Sequence, residues 1–109
     1  MQLKISSRHM DVTAALRDYA EQKASKLSKY YDRIQDIEVV FDAKKETTRV
    51  EMIVIAEHRT RFIAHMDGDD AYKGVDQCIN KLERVLSDHK KKFRNRKHNS
   101  GEVKRGMAR

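Results

Sequence analysis

The sequence contains no proline and no tryptophan, and Cys78 is its only cysteine. A lone cysteine excludes an intramolecular disulfide, and its place beside an apolar helical stripe predicts a small buried hydrophobe, not a redox group. No apolar run approaches the roughly 20 residues that a membrane span needs, and no signal-peptide pattern opens the chain. We therefore expect a cytoplasmic protein that works in a reducing setting and away from membranes.

Motifs for catalysis and for metal binding are missing too. The five histidines lie far apart, with no HExxH or Cys-His spacing. Asp67, Asp69 and Asp70 lack the later ligands of a calcium loop and are better placed to cap a helix. No Gly-rich phosphate loop occurs, and no serine, histidine and aspartate stand in a recognised nucleophile context. We expect no enzyme, no metal, no cofactor and no small-molecule substrate.

Positive charge is concentrated towards the C-terminal end of the sequence. The chain carries a net charge of +7, whereas residues 90–109 alone have nine Lys or Arg against Glu102, a net charge of +8. The preceding 89 residues therefore have a net charge of −1. Such a cationic segment cannot add to a core but can neutralise several phosphates, which favours a nucleic-acid partner. The folded part has to attract a polyanion through local patches instead of a global field.

The hydrophobic pattern predicts six elements in the order βαβββα. Leu3 and Ile5 alternate with polar residues as in a short strand. Asp11 and Thr13 both offer helix caps before an apolar stripe that reaches Tyr31. The later elements are a strand at 34–42, a strand over the run RVEMIVIA, a strand at 59–67 and an amphipathic helix from 70 to about 93. Residues 57–59 fit a hairpin connection, although an Asn-Gly turn is absent.

The chain length and this order predict one α+β domain. A parallel pairing of the first two strands through a right-handed crossover helix, followed by two antiparallel hairpins, gives a four-stranded mixed sheet with two long helices on one face. Residues 99–109 lack a periodic apolar pattern, and we predict a domain at 1–93 followed by a basic disordered tail at 94–109. The third strand is apolar on both faces, so either both are covered or one meets a partner.

Basic residues recur along both predicted helices. Lys23, Lys26 and Lys29 follow one another at three-residue steps on the first helix. The solvent side of the second helix carries Lys73, Lys81, Arg84 and Lys91. If the helices lie side by side, these two cationic ridges flank a groove of a width suited to a phosphate backbone. The alternative is a pair of ordinary solvated faces balanced by acidic neighbours; the ridges and the tail together favour nucleic-acid binding.

Two stretches of the sequence resemble a known family. The first is MQLKISSRHMDVTAALRDYAEQKASKLSKYYDRI, and the second runs from Asp70-Ala71-Tyr72 through Ile79-Asn80-Lys81-Leu82-Glu83-Arg84 to His89-Lys90. In both, the chain resembles the short form of the ribosome hibernation-promoting factor and ribosome-associated inhibitor family, also called protein Y or sigma-factor modulation proteins. Lys73-Gly74 departs from the small pair usual in that family, and glycine lowers helix propensity there by roughly 1 kcal/mol relative to alanine.

The resemblance implies a domain laid out like double-stranded RNA-binding domains, which lodges in the small ribosomal subunit where messenger and transfer RNA would sit. It implies inhibition of translation by occlusion, and contacts with the ribosomal RNA backbone for Lys23, Lys26, Lys29, Lys81, Arg84 and Lys90. Arg8 and Arg33 are weaker candidates in loops that flank helices, and Lys91 and Arg94 belong to the adjoining cationic run. The expected partner is the small ribosomal subunit with its rRNA, and we expect a monomer off the ribosome.

Two other functions stay open on the sequence. One is a protein-interaction module that modulates a transcription (sigma) factor through an outer sheet face around Met52, Val54 and Ile63. The other is generic double-stranded RNA binding, which predicts comparable affinity for unrelated duplexes.

Overall fold

The computed structural model describes residues 1–98, and the side chains of residues 1–92. Its elements are β1 (Gln2–Arg8), α1 (Ala14–Ser25), a 3₁₀ turn (Lys26–Lys29), β2 (Ile34–Ala43), β3 (Thr48–Ala56), a tight turn (Glu57–Arg59), β4 (Arg61–Gly68) and α2 (Ala71–His98). The four strands form one sheet in the order β1-β2-β3-β4, in which β1 and β2 are parallel and the later pairs antiparallel. The predicted βαβββα order and mixed sheet are confirmed.

The core lies between the inner face of the sheet and the two helices. Alternate residues of β2 and β3 point inward, as the period of a half-buried strand requires. The fully buried sheet residues are Ile37, Val39, Phe41, Val50, Met52, Val54, Ala56 and Ala64. The helices and the 3₁₀ turn add Leu16, Ala20, Ala24, Leu27, Val75, Cys78, Ile79, Leu82 and Leu86. The predicted burial of Cys78 is confirmed.

The register of β3 corrects one expectation, because Met52 and Val54 lie on the inner face of the sheet. Met52 pairs with Ala64 of β4, and both are completely buried. The outer face instead carries Ile53 opposite Ile63, and Ile63 is 47% exposed. Hydrophobicity could not orient this strand, since its two faces are equally apolar. Pairing with β4, whose faces differ, decides which side of β3 is buried.

The first helix is shorter than predicted. Thr13 caps α1, because its Oγ1 accepts a hydrogen bond from the Leu16 N–H at 3.1 Å. The α-helix ends at Ser25, and the chain continues as the 3₁₀ turn Lys26–Lys29. The Ser25 hydroxyl donates to the Gln22 carbonyl at 3.0 Å, a local bond of the kind that competes with regular helix. Because a 3₁₀ helix has about three residues per turn, Lys26 and Lys29 project from the same side.

The second helix is longer than predicted. The Asp70 carboxylate accepts hydrogen bonds from the backbone N–H groups of Tyr72 and Lys73, at 3.0 and 3.4 Å, and so caps the first turn of α2. The helix then runs to His98, past the expected end near residue 93, a length of about 42 Å. The helix thus includes residues 94–98 of the tail predicted at 94–109, and the rest of that tail, from residue 99 onward, lies outside the described residues.

Gly74 permits a close approach between α2 and β3. A Cβ atom at this position would lie 2.7 Å from Cγ2 of the buried Val50. That is well inside van der Waals contact. The glycine that lowers helix propensity is therefore required by packing.

The two helices run in the same direction over the sheet. Helix α1 follows β1, and helix α2 follows β4. Strand β1 is parallel to β2, and the two successive antiparallel pairings β2–β3 and β3–β4 make β4 parallel to β1 as well. Both helices therefore start at one end of the sheet and run towards the other, which α2 passes. That second end is the one where β1, β2 and β4 begin.

Candidate nucleic-acid interface

Two chain connections and helix α2 meet at one end of the sheet, the end where β1, β2 and β4 begin. Glu57, at the start of the β3–β4 connection, accepts hydrogen bonds from Tyr31 and Arg33. The His89 ring of α2 lies 5.1 Å, centroid to centroid, from the rings of Tyr31 and of Phe62. We call this region the basic end, after its exposed cations Lys26, Lys29, Arg33, Arg59, Arg61, Lys90, Lys91 and Lys92.

The basic end contains both expected and unexpected residues. Lys26, Lys29, Arg33, Lys90 and Lys91 were assigned to nucleic-acid binding from the sequence, and the fold brings them to one end. The sequence assignment missed three exposed cations, which are Arg59, Arg61 and Lys92. The signal for the two arginines was available, because a hairpin connection between β3 and β4 has to lie at the end where β2 starts.

A groove separates α1 and its 3₁₀ turn from α2, and its two walls have opposite charge. The first wall consists of Lys23, Lys26 and Tyr30, and the second of Asp76, Asn80 and Glu83, with Ile79 between them. This corrects the expectation of two cationic ridges on either side of the groove. Only the α1 wall is cationic, because the rotation of α2 about its axis turns Asp76 and Glu83 towards α1.

Lys81 and Arg84 are exposed on other sides of α2. Lys81 lies two residues from Glu83, or about 200° around the helix, and does not line the groove. It lies close to Cys78. Burial raises the pKa of the Cys78 thiol to about 11, and the Lys81 ammonium opposes this increase. The Cys78 thiol itself contacts the Val50 carbonyl oxygen at 3.5 Å. The structure therefore places Lys81 on the flank of α2 that faces away from the groove and from Lys23.

Aromatic and carboxylate groups hold the two helices together at the end of the groove that lies nearer the start of α2. The Tyr19 hydroxyl donates a hydrogen bond of 2.6 Å to Asp76, which raises the pKa of Tyr19. Lys23 is half-buried, and its Nζ lies 5.5 Å from the centroid of the Tyr19 ring, a cation–π distance. The Lys23 stem thus covers part of the helix interface while its charge stays at the groove.

Arg33 is anchored in an ion-pair network at the basic end. Its Nη1 donates to Glu57 at 2.7 Å, and the buried Tyr31 hydroxyl donates to the same carboxylate. The hydrogen bond from Tyr31 and then that from Arg33 lower the pKa of Glu57. Burial, followed by the bond to Glu57, raises the pKa of Tyr31 to about 12. The network joins the core to the β3–β4 connection.

The opposite end of the sheet has balanced charge and holds Arg8. Asp42 contacts His9 at 3.0 Å and Lys44 at 3.6 Å, and the His9 hydrogen bond is the main cause of its lowered pKa. Arg49 donates two hydrogen bonds to Asp67, at 2.9 and 3.2 Å. Arg8 is exposed at this end, so the structure does not bring it to the other predicted cations.

Arg94 belongs to the helical part of the chain, but its side chain lies outside the described ones. Among the described residues, His, Cys, Asp and Glu form no group of three that could hold a metal ion. Within the same part of the chain, neither helix is long and apolar enough to cross a membrane.

The sheet and the paired helices define a class of small α+β domains whose solved members include a ribosomal subunit interface protein. A structure of such a protein from Coxiella burnetii aligns with a TM-score of 0.76 and 30% identity, over 83% of this chain and 98% of that one. The N-terminal domain of Protein Y from Thermus thermophilus aligns with a TM-score of 0.73 and 26% identity, over 82% of this chain and 99% of that one.

The chain belongs to the Sigma 54 modulation protein / S30EA ribosomal protein family, whose sequence model matches residues 3–94. A ribosome hibernation promoting factor from Azotobacter vinelandii is 36% identical over 92 residues, which cover 84% of this chain and 85% of that protein. The ribosome hibernation promoting factor of Escherichia coli K12 is 34% identical over 94 residues, 86% of this chain and 98% of that protein. The resemblance to this family that the two helical motifs predicted is confirmed.

Proposed function

We propose that this protein is a cytoplasmic ribosome hibernation factor that binds the rRNA of the small subunit in the mRNA and tRNA channel and inhibits translation by occlusion. The observation that carries the proposal is the match to hibernation promoting factors along nearly the whole described domain, at 34–36% identity. A factor of this kind needs no catalytic group, because filling the channel is sufficient to exclude its normal occupants.

The charge distribution supports an orientation for this binding. Phosphate contacts fix a protein on RNA without reading its sequence, which suits a factor that recognises the shape of one channel. The cations of the basic end and of the α1 wall of the groove provide such contacts, whereas at the opposite end Asp42 and Asp67 pair with His9 and Arg49 and offset part of the positive charge. The basic end therefore faces the rRNA in our proposal, with Lys23, Lys26, Lys29 and Lys90 as principal contacts. Lys81 and Arg84 contact a second rRNA surface over the flank of α2.

Sedimentation tests the proposal directly. A lysate from stationary-phase cells is fractionated on a sucrose gradient, and the protein is followed by antibody. We expect it with small subunits and with intact ribosomes, and addition of purified protein should reduce translation of a reporter in a cell-free system. Recovery in the ribosome-free fractions alone would overturn the proposal.

Charge reversal tests which surface binds. Lys26→Glu combined with Lys29→Glu should reduce ribosome affinity at least tenfold, because each reversal turns an attraction to phosphate into a repulsion. The matched control combines Lys45→Glu with Lys73→Glu, two exposed lysines at the opposite end of the sheet, and should bind nearly as well as the wild type. Equal losses in both variants would mean that only net charge matters. A third variant, Lys81→Glu with Arg84→Glu, reports separately on the flank of α2.

A protein-interaction module is the second candidate, and the exposed Ile63 beside Ile53 on the outer sheet face favours it. This face replaces the one first assigned around Met52 and Val54. Ile63→Thr should leave ribosome binding unchanged if hibernation is the function, and should abolish capture of a sigma factor if interaction is. Generic double-stranded RNA binding makes a third prediction, equal affinity for the small subunit and for unrelated duplexes of matched length.

A further inference from the structure

The β3–β4 turn, Glu57 to Thr60, has a backbone that its sequence does not favour. His58 has φ of 58° and ψ of 26°, and Arg59 has φ of 60°. The Thr60 N–H donates to the Glu57 carbonyl at 3.2 Å, which closes the turn. Two central residues with positive φ are the mark of a type I′ hairpin turn, for which Asn-Gly is the preferred pair.

Arg59 is the less expected of the two residues. Histidine is enriched several-fold at positive φ, whereas the second central position of a type I′ turn is usually glycine, because a Cβ atom is crowded there. Glycine would adopt this backbone conformation with less strain than arginine, so the long cationic side chain does not stabilise the turn. Unfavourable backbone of this kind is concentrated at functional sites in proteins.

The turn is held rigidly from beneath. The Ala56 N–H donates to the Thr60 carbonyl at 2.8 Å, and the Glu57 N–H donates to the Arg33 carbonyl at 3.1 Å. The Glu57 carboxylate is bound by Arg33 and by the buried Tyr31 hydroxyl. The position of Arg59 is therefore fixed relative to the core, which reduces the entropy lost when it contacts a ligand.

The surroundings of Arg59 select an anionic ligand. Arg61 begins the next strand, Arg33 underlies the turn, and the Lys26–Lys29 turn lies at the same end of the sheet. Within the described part of the chain, neither Arg59 nor Arg61 has a side-chain hydrogen bond or an ion pair within 4.0 Å. A guanidinium group with its donors unused matches the geometry of a phosphate, which it can bind through two parallel hydrogen bonds.

We propose that the β3–β4 turn is a phosphate-binding site for an RNA backbone, in which Arg59, supported by Arg61, makes the contact and the left-handed turn holds it in place. This inference rests on the proposed function, since it assigns the turn a strand of the same rRNA that the basic end faces. It adds to that function a contact made by a strand connection on the sheet side of the molecule, separate from the helices and the groove.

The test uses the opposite effects that one substitution should have on stability and on binding. Arg59→Gly removes the cation and the crowding at positive φ together, so the variant should melt at the same or a higher temperature than the wild type. Its affinity for purified small subunits should nevertheless fall roughly tenfold, and the slope of log affinity against log salt should decrease by about 0.7–0.9, the contribution of one phosphate. A merely structural role for Arg59 predicts no change in the salt slope.

Two further variants separate charge from backbone. Arg59→Lys keeps the charge and the unfavourable φ, and should retain most of the affinity but lose the part that depends on two parallel hydrogen bonds. Lys45→Gly removes one exposed cation from the β2–β3 connection at the opposite end, and should leave affinity near that of the wild type. If Arg59→Gly binds as tightly as Lys45→Gly with an equal salt slope, the turn is not a contact site. If the wild type fails to bind subunits at all, the proposed function itself is wrong.

Discussion

Gly74 illustrates how one residue can look unfavourable in the sequence and still be required. In isolation, alanine is favoured over glycine inside a helix by roughly 1 kcal/mol. In the folded protein, the space that the alanine methyl group would occupy lies 2.7 Å from Cγ2 of Val50. Val50 is completely buried and branched at Cβ, so it has little freedom to move aside.

Gly74→Ala should therefore destabilise the protein by about 1–2 kcal/mol, because overpacking outweighs the gain in helix propensity. Urea unfolding followed by circular dichroism measures the change. In a Val50→Ala background the crowding methyl groups are gone, and the same substitution should cost little or become favourable. A Gly74→Ala protein at least as stable as the wild type would contradict the close approach of α2 to β3.

Glu57 should make stability depend on pH in the acidic range. Its pKa is lowered in the folded protein by hydrogen bonds from Tyr31 and Arg33. The stabilisation is therefore complete above the unfolded pKa of about 4.3 and is lost as the pH falls through the lower folded pKa. Wild-type protein should lose stability below about pH 4.5, and Glu57→Gln should show a smaller loss over that range.

Urea midpoints measured between pH 3 and pH 7 would check this expectation. Glu46→Gln is the control, since Glu46 is exposed in the β2–β3 connection and makes no side-chain hydrogen bond or ion pair within the described residues. Its pH profile should follow that of the wild type. Identical profiles for both variants would show that the Tyr31–Glu57–Arg33 network does not stabilise the fold.

At the scale of elements, order and type were predictable, but boundaries and orientations were not. The alternation of apolar residues in β2 and β4 and the helical spacing around Leu82 determine element type, so the βαβββα order follows from sequence. The end of α1 at Ser25 does not follow from the sequence, because the apolar residues 24, 27 and 31 fit a continuous α-helix as well as a helix that tightens into a 3₁₀ turn. The facing of β3 depends on its pairing partner, which no local pattern contains.

The helix cap at Thr13 provides a test at this scale. Thr13→Ala removes the hydroxyl that accepts the Leu16 N–H and should reduce the free energy of unfolding by about 1 kcal/mol. Thr13→Ser keeps a capping hydroxyl and should restore most of that loss. The measurement is again urea unfolding, and equal stability of the alanine and serine variants would exclude a capping role.

The candidate interface was predicted in part for a similar reason. Residue type and spacing identified the lysines of α1 and of the cationic run, because these lie on exposed faces in any packing. The groove was assigned wrongly, since its second wall depends on the rotation of α2, which places Glu83 there instead of Lys81. Arg59 was left out of the sequence assignment because it stands in a short connection outside both helices, although the predicted hairpin already placed that connection at the end of the sheet where β2 begins.

At the scale of the whole molecule, charge is divided between two ends. At the end that contains Arg8, Asp42 pairs with His9 and Lys44, and Asp67 pairs with Arg49, at distances of 2.9 to 3.6 Å. The basic end has an excess of exposed cations, with Glu57 as an internal partner for Arg33. Ribosome affinity should therefore fall steeply with salt, by about 0.7–0.9 log units per log unit of salt for each phosphate neutralised.

Removal of residues 99–109 tests how much of the binding belongs to the domain. The segment contains Lys104, Arg105 and Arg109 against Glu102. Its deletion should weaken subunit binding and lower the salt slope without abolishing either, because the contacts assigned to the basic end remain. Complete loss of binding on gradients, with an unchanged melting temperature, would mean that the deleted segment makes the main contact with the ribosome.

The direction of α1 has an electrostatic consequence for the basic end. Each α-helix carries a macrodipole equivalent to roughly half a negative charge at its C-terminus, and its effect is felt around the last turn. Because α1 ends at Ser25, directly before the Lys26–Lys29 turn, its terminal carbonyl groups offset part of the repulsion among the lysines gathered there. The fold can thus keep a dense group of cations in place before any RNA arrives to neutralise it.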